Sequence, residues 1–409
     1  ESDCQIAGLV GNNNGGAVTN CINEATVTLA DNGETNSSQA SVGGVVGRTQ
    51  KGGDLSAQGD ISDCTNKGTV VCDAKLSENV YIGGVLGYQV ESNEYISGCV
   101  NNGLVKLGST FATEKALHLG GVIGLGKGKI ENCTNGTNGV VTSEDGCTGG
   151  SYICQGGVVG RLNNTSRTYS GLTNAGNIIA YAAGAGTGSY IGGTVGRCDE
   201  GASLSDCTNT GGKLEYLGAT ETCPLHIGGI VGQSKGTVTS CTNATSILFY
   251  ADYKLNSSGK YLSIGGVVGR QNANVEISNN INTAAVTYDG YATGYVALGG
   301  IVGYCDGPIS GGENSGTVSF TGQANTQNVP IGGIVARTPG SKSGDRITGV
   351  KNSGNIIINT TTQTKKELFV GGIVGHHQSA NVSATNTGKV EVTSLTCSLL
   401  SLGGIAGKA

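Results

Sequence analysis

A glycine pair followed by two apolar residues and a third small residue recurs twelve times in this chain. The copies run from Ala7-Gly-Leu-Val-Gly11 and Gly43-Gly-Val-Val-Gly47 to Gly403-Gly-Ile-Ala-Gly407, at intervals of 32 to 40 residues that average 36. Repetition at one period constrains the fold more than any single motif could. Each copy must adopt the same local structure and bury its apolar side against its neighbours. Between successive copies stands an asparagine in all eleven intervals: Asn23, Asn66, Asn101, Asn135, Asn174, Asn209, Asn243, Asn282, Asn314, Asn352 and Asn386. Two residues before it the chain carries Cys21, Cys64, Cys99, Cys133, Cys207 or Cys241, but Leu172, Asn280, Gly312, Val350 or Ala384 elsewhere. The asparagine is therefore the required member of the pair and the cysteine the exchangeable one.

A third element follows the asparagine and alternates apolar with variable residues, as in Val70/Cys72, Val105/Leu107 and Ile356/Ile358. Period two with β-branched residues predicts a strand with one face inward. Length varies at one place in each repeat, which marks a surface loop. Helical periodicity is absent, and 74 glycines would oppose helices throughout. These features predict an all-β fold, a parallel β-helix-like β-solenoid of about eleven 36-residue repeats, each two or three short strands joined by tight turns. The composition is even from end to end, so residues 1–409 read as one continuous repeat domain.

In such a coil the paired glycines are expected to supply positive φ and close backbone approach. The asparagines are expected to stack into a structural column that passes amide hydrogen bonds from coil to coil. A glycine two residues after the asparagine, present in seven of the eleven copies, suits a left-handed turn. With no tryptophan, no methionine and four phenylalanines, the core must come from Val, Ile, Leu, Ala and Gly. The lack of methionine also predicts that a leader or longer precursor has been removed.

The succession Gly-Gly-Ile/Val-Val-Gly, Ile-x-x-Cys and Gly-x-Val resembles the GLUG-motif repeats of bacterial surface and secreted proteins, Ala7-Gly-Leu-Val-Gly11 most nearly. The resemblance implies an extracellular β-solenoid of the kind used in adhesins and in the non-catalytic parts of larger secreted proteins, and it implies no activity. The order Cys64-Thr-Asn66 differs from the Asn-Cys order that family often shows, whereas Asn132-Cys133 keeps both.

Charge excludes some partners. The net charge is −5, with 24 basic and 29 acidic residues scattered singly, so nucleic acid is not expected as a partner. There is no apolar run long enough for a transmembrane segment. Fourteen cysteines without a CxxC point to an oxidising compartment, hence a secreted or cell-surface location. The six aligned cysteines read as buried free thiols, and no cofactor or metal is expected. Cys147 and Cys154 flank a six-residue insertion and are the candidate disulfide.

Catalytic sets are missing as well. His118, His226 and the pair His376-His377 form no HExxH and are read as surface residues, while Asp199, Glu200 and Asp306 lack identifiable partners. The one local excess is tyrosine, which makes Tyr250, Tyr253, Tyr261, Tyr291, Tyr295 and Tyr304 a candidate ligand patch. The expectation is a non-enzymatic, adhesin-like surface protein whose loops meet a host surface, a glycan or a partner protein. The alternative is a structural spacer or a subunit that self-associates head to tail into a filament, and a polysaccharide-degrading β-helix enzyme comes third.

Overall fold

The computed structural model describes residues 3–409 apart from 32, 34, 36, 51–58, 91, 164–165, 219–222, 254–260, 273–274, 325–327, 340–345 and 379–380, and apart from the side chains of 183, 253 and 361–366. Among the described residues every regular element is a strand, and every pairing between strands is parallel, each with the coil before or after. One repeat makes one coil. The coil that begins at Val80 contains Val80–Gly83, Leu86–Gln89, Tyr95–Ser97, Val100–Asn101, Leu104–Leu107 and Ala112–Thr113. It closes onto Ala116–Gly120 of the next coil, which lies on Val80–Gly83 with Ile82 against Leu119 and Gly83 against Gly120. Six short ladder segments thus replace the two or three expected. Frequent bends keep each segment to a few residues, too short for the sequence alternation to mark its ends.

The strand after the glycine pair builds a continuous twelve-stranded sheet, and the segments around the cysteine and asparagine positions build a twenty-stranded one. The strand before the glycines and the strand after the asparagine form two further ladders, joined where Ile356–Gly371 and Val390–Gly403 run through the corner between them. Inside, apolar side chains fall into separate columns. One runs the length of the rod beneath the twelve-stranded sheet, from Val45 and Cys64 to Val350 and Val374. Across the coil two more lie end to end, around Val42, Val70 and Leu117 in the early coils and Ile227, Phe249 and Leu298 in the later ones. In the second of these Tyr216, Phe249, Tyr288 and Phe320 stack with nearly parallel rings 4.9 to 5.7 Å apart.

What separates the columns is a waist. Asn66 lies under the second glycine of the preceding pair, so that a methyl group on Gly44 would overlap the Asn66 side chain and the Gly84 carbonyl. The same confrontation recurs from Gly8 against Asn23 to Gly372 against Asn386. The glycine pair and the asparagine are therefore the two sides of one pinch, which brings backbone to side chain across the interior. None of the paired glycines has a left-handed φ. Close approach alone accounts for them, and the expected positive φ does not occur there. Gly68, Gly103 and Gly176 are likewise not left-handed. Each instead packs where a Cβ would meet a carbonyl of the preceding coil.

The left-handed residue sits elsewhere, one position before the cysteine. Asn20, Asp63, Gly98, Asn132, Gly171, Asp206, Ser240, Asn279, Gly311 and Gly349 all have φ between 52° and 66°. Asparagine, aspartate and glycine are the residues that tolerate this conformation. It reverses the chain so that the next side chain, Cys64 or its counterpart, enters the core.

Candidate functional site

The asparagines occupy matching positions in adjacent strands, Asn66 opposite Asn23 and Asn101 opposite Asn66. Asn66 Nδ2 donates to Asn101 Oδ1 at 2.9 Å and to Gly68 O at 2.9 Å, and Asn66 Oδ1 accepts from Asn23 Nδ2 at 2.8 Å. The relay continues through Asn135, Asn174, Asn209, Asn243, Asn282 and Asn314 to Asn352, whose Nδ2 donates to Asn386 at 2.9 Å. Every polar end of these buried amides is used within the rod. The ladder is structural and offers nothing to a ligand.

The cysteine positions are equally enclosed. Cys64, Cys99, Cys133, Cys207 and Cys241 are fully buried, and the Cys64 thiol donates to Ser62 O at 3.3 Å. Where Asn280 takes the slot, its amide donates to Val238 O and accepts from Cys241 N. The hydrogen bond with the adjacent thiol of Cys99, and burial second, push the Cys64 thiol upward, so it has no nucleophilic character. Cys147 and Cys154 are both free thiols, which corrects the candidate disulfide. Cys147 belongs to the interior together with Ile153, and Cys154, next along the strand, points to the opposite side beside Arg161 and Arg197. Burial pushes each up to about 12.

The tyrosine patch divides. Tyr250 and Tyr291 lie on the loop side, where they line a surface groove of about 530 Å3 with Leu217, Asp252, Asp289, Thr321 and Gln323. Tyr250 is 58 % exposed, and Thr321 Oγ1 donates to Asp289 Oδ1 at 2.9 Å. The groove is held by three stacked two-residue strands, Asp252–Tyr253, Tyr291–Ala292 and Gln323–Ala324. The Tyr253 side chain lies outside the described residues. An exposed ring beside carboxylates and a hydroxyl can stack on one face of a sugar while accepting its hydroxyl protons.

Tyr261, Tyr295 and Tyr304 are on a different side, in a long cleft that the waist creates. Because the glycine pair is drawn inward, the strands before and after it converge on the outside. A methyl group on Gly87 would approach the backbone of Val42, and the Tyr81 and Tyr88 rings stack at 4.3 Å. Tyr81, His118, Tyr152, Tyr190, His226 and Tyr261 follow one another along one wall. On the other wall one register position holds Arg48, Tyr88, Leu125, Arg161, Arg197, Gln233, Arg270, Tyr304, Arg337, His376 and Lys408 in successive coils. Five of the seven arginines of the chain sit at this position.

Each guanidinium lies on aromatic faces. Arg270 Cζ is 4.6 Å from the Tyr261 centroid and 5.0 Å from that of Tyr304. Arg337 lies 4.9 Å from Tyr295, and Arg197 5.1 Å from Tyr190. Asp199, left unpartnered on the sequence reading, pairs with Arg161 at 2.7 Å and Arg197 at 2.8 Å, while Asp306 reaches Arg270 only at 4.0 Å. All four histidines are buried, contrary to the surface reading. His118 and His226 pack among the tyrosines, His376 lies 4.9 Å from the Phe369 ring, and His377 Nδ1 meets Thr338 Oγ1 at 2.8 Å. Burial, with the nearby arginines second, holds His118 and His226 well below the usual imidazole range. Position in the repeat is the sequence signal: each of these five arginines directly follows the last small residue of the glycine element.

Among the described residues no three His, Cys, Asp or Glu side chains group as metal ligands. Residues 38–71, which include Gly43-Gly-Val-Val-Gly47 and Cys64-Thr-Asn66, match the family model of the GLUG motif. The coils that follow keep the same register of glycine pair and asparagine, so the matched unit recurs along the rod. No curated protein and no solved structure matches the chain.

Proposed function

We propose that the chain is a non-enzymatic, adhesin-like rod of an extracellular or cell-surface protein, which presents ligand-binding surfaces to a glycan or to a partner protein. The observation that carries this reading is the groove around Tyr250, Asp252, Asp289 and Tyr291. It stands at the corner where loop length varies between repeats, on a scaffold whose buried polar ladder and stacked cores are already satisfied internally. Loops on a rigid frame are where binding residues gather. The groove brings an exposed ring and two carboxylates together, a set that can stack on a sugar and accept its hydroxyl protons, which supports capture of such a ligand.

The test is binding of the purified chain to immobilised glycans and host-surface proteins. Tyr250→Ala should lower the affinity about tenfold, the loss of one stacked ring. Asp289→Asn should lower it as well. A chain that binds no member of either panel, or Tyr250→Ala binding like the parent, would overturn the reading. A second reading, a spacer or head-to-tail subunit, is supported by the uniform parallel stacking of coil on coil along the rod, an arrangement that another rod could continue. Filaments that lengthen by whole rods in electron micrographs would establish it, and dispersed single rods at high concentration would exclude it.

A further inference from the structure

The outer cleft is built differently from the loop-side groove, and its charge has a period. From Arg197 onward the wall position reads Arg197, Gln233, Arg270, Tyr304, Arg337, His376, Lys408, a cation on every second coil. His376 is not a cation at neutral pH, since burial lowers it to about 4. Adjacent strands stand about 4.8 Å apart, so the cations repeat at roughly 9.6 Å along the file. Compensation by carboxylates is close at Arg197 and weaker beyond it. Arg197 is held by Asp199 at 2.8 Å, Arg270 has Asp306 at 4.0 Å and Lys408 has Glu367 at 3.9 Å. Among the described residues Arg337 has no ion pair with a carboxylate, and its buried Nε, like that of Arg270, has no hydrogen bond. The chain as a whole is acidic, at −5, which makes this file of cations a local exception.

We infer that the cleft from Arg197 to Lys408 binds an extended acidic polysaccharide that carries one anionic group on every second sugar, the polymer lying along the rod axis. Three features select this class. The aromatic rings hold each guanidinium flat, so little side-chain freedom is lost when an anion is bound. The two-coil spacing of the cations matches a chain of sugar rings in which charged and neutral units alternate, each ring about as long as one coil is high. Finally, the ring faces are already covered by guanidinium groups. A single-stranded nucleic acid, which gains most of its affinity by stacking bases on open aromatic faces, finds none here.

The inference does not depend on the Tyr250 groove, and the two fail separately. The probe is a hyaluronate decasaccharide, one carboxylate per two sugars, titrated into the intact chain by calorimetry at low and at physiological salt. Binding that weakens with salt is expected. The variant R270Q/R337Q should lose about tenfold or more, as for two charge-assisted contacts, and R270K/R337K should keep part of the affinity. K351Q, on another side of the rod, should bind like the parent, as should Tyr250→Ala. Thermal melts of each variant establish that the rod is intact. Absence of hyaluronate binding, equal binding by R270Q/R337Q with an unchanged melt, equal affinity for polygalacturonate with its charge on every sugar, or tighter binding of oligothymidylate would each overturn the inference.

Discussion

At the residue scale the informative comparison is between two neighbours, Cys64 and Asn66. A thiol invites a chemical reading, yet Cys64 does the work that Leu172, Val350 and Ala384 do in other coils, whereas Asn66 serves as donor to two groups and acceptor to a third. Removing the thiol leaves a small cavity, worth about 1 to 2 kcal/mol. Removing the amide takes one hydrogen bond each from Asn23, Asn101 and the Gly68 carbonyl in the closed interior, at about 1 to 3 kcal/mol for a buried group left unsatisfied. Asn66→Ala should therefore lower the melting temperature more than Cys64→Ala, and equal melting temperatures would refute the assignment. The asparagine column was legible in the sequence because no other residue replaces it. The left-handed position before the cysteine was not, because Asn, Asp, Gly and Ser all satisfy it and no single letter recurs. Asn132-Cys133 shows how the two fit together: the asparagine that precedes the cysteine turns the chain, and Asn135 two residues beyond it carries the ladder.

At the element scale the glycine pair and the asparagine explain each other. Each was recognised as a separate recurring part, and periodicity alone could not reveal that they meet across the coil, because contact through the interior has no sequence signature. The consequence is testable in one coil. Gly84→Ala places a methyl group on the Asn101 side chain and on the Gly121 carbonyl, and the waist must open to admit it. Overpacking of a closed interior costs about 1 to 3 kcal/mol, and displacing the amide from its relay adds to that. The double variant Gly84→Ala/Asn101→Ala should be less destabilised than the sum of its two single variants, since part of the clash disappears with the amide. Urea denaturation of the four chains gives the coupling directly, and strict additivity would mean that the two residues do not confront each other. Gly332-Gly-Ile-Val-Ala336 supplies a natural control, because Ala336 replaces a third glycine and remains buried, so that position accepts a methyl group where the pair does not.

At the scale of the whole rod the repeat was readable and the cleft was not. Solenoid, period and parallel stacking followed from twelve copies of one pattern, since local structure and stacking must agree in every coil. The cleft depends on which way the chain bends at the glycines. That direction is set by the waist, and neither the tyrosine excess nor scattered histidines could signal it. One property of the whole molecule follows from it. His118 and His226 are enclosed as neutral imidazoles among tyrosines, with Arg161 and Arg197 near the first and Arg270 near the second, all opposing a further positive charge. Their pKa values in the rod fall well below the ordinary 6.5, so the unfolded chain binds more protons than the rod once the pH drops under that value. Stability from these two groups is fully present above pH 6.5 and is lost as the pH falls below it, by about 1.4 kcal/mol per pH unit for each histidine. Carboxylates in the unfolded chain titrate mainly below pH 4.5, which leaves the window from 6.5 to 4.5 to histidine. Melting temperatures across that window should fall steadily for the parent chain. In the variant His118→Phe/His226→Phe they should fall much less, with phenylalanine tolerated because Phe369 already occupies the same register position in a later coil. Parallel slopes for the two chains would show that some other group accounts for the acid sensitivity of the rod.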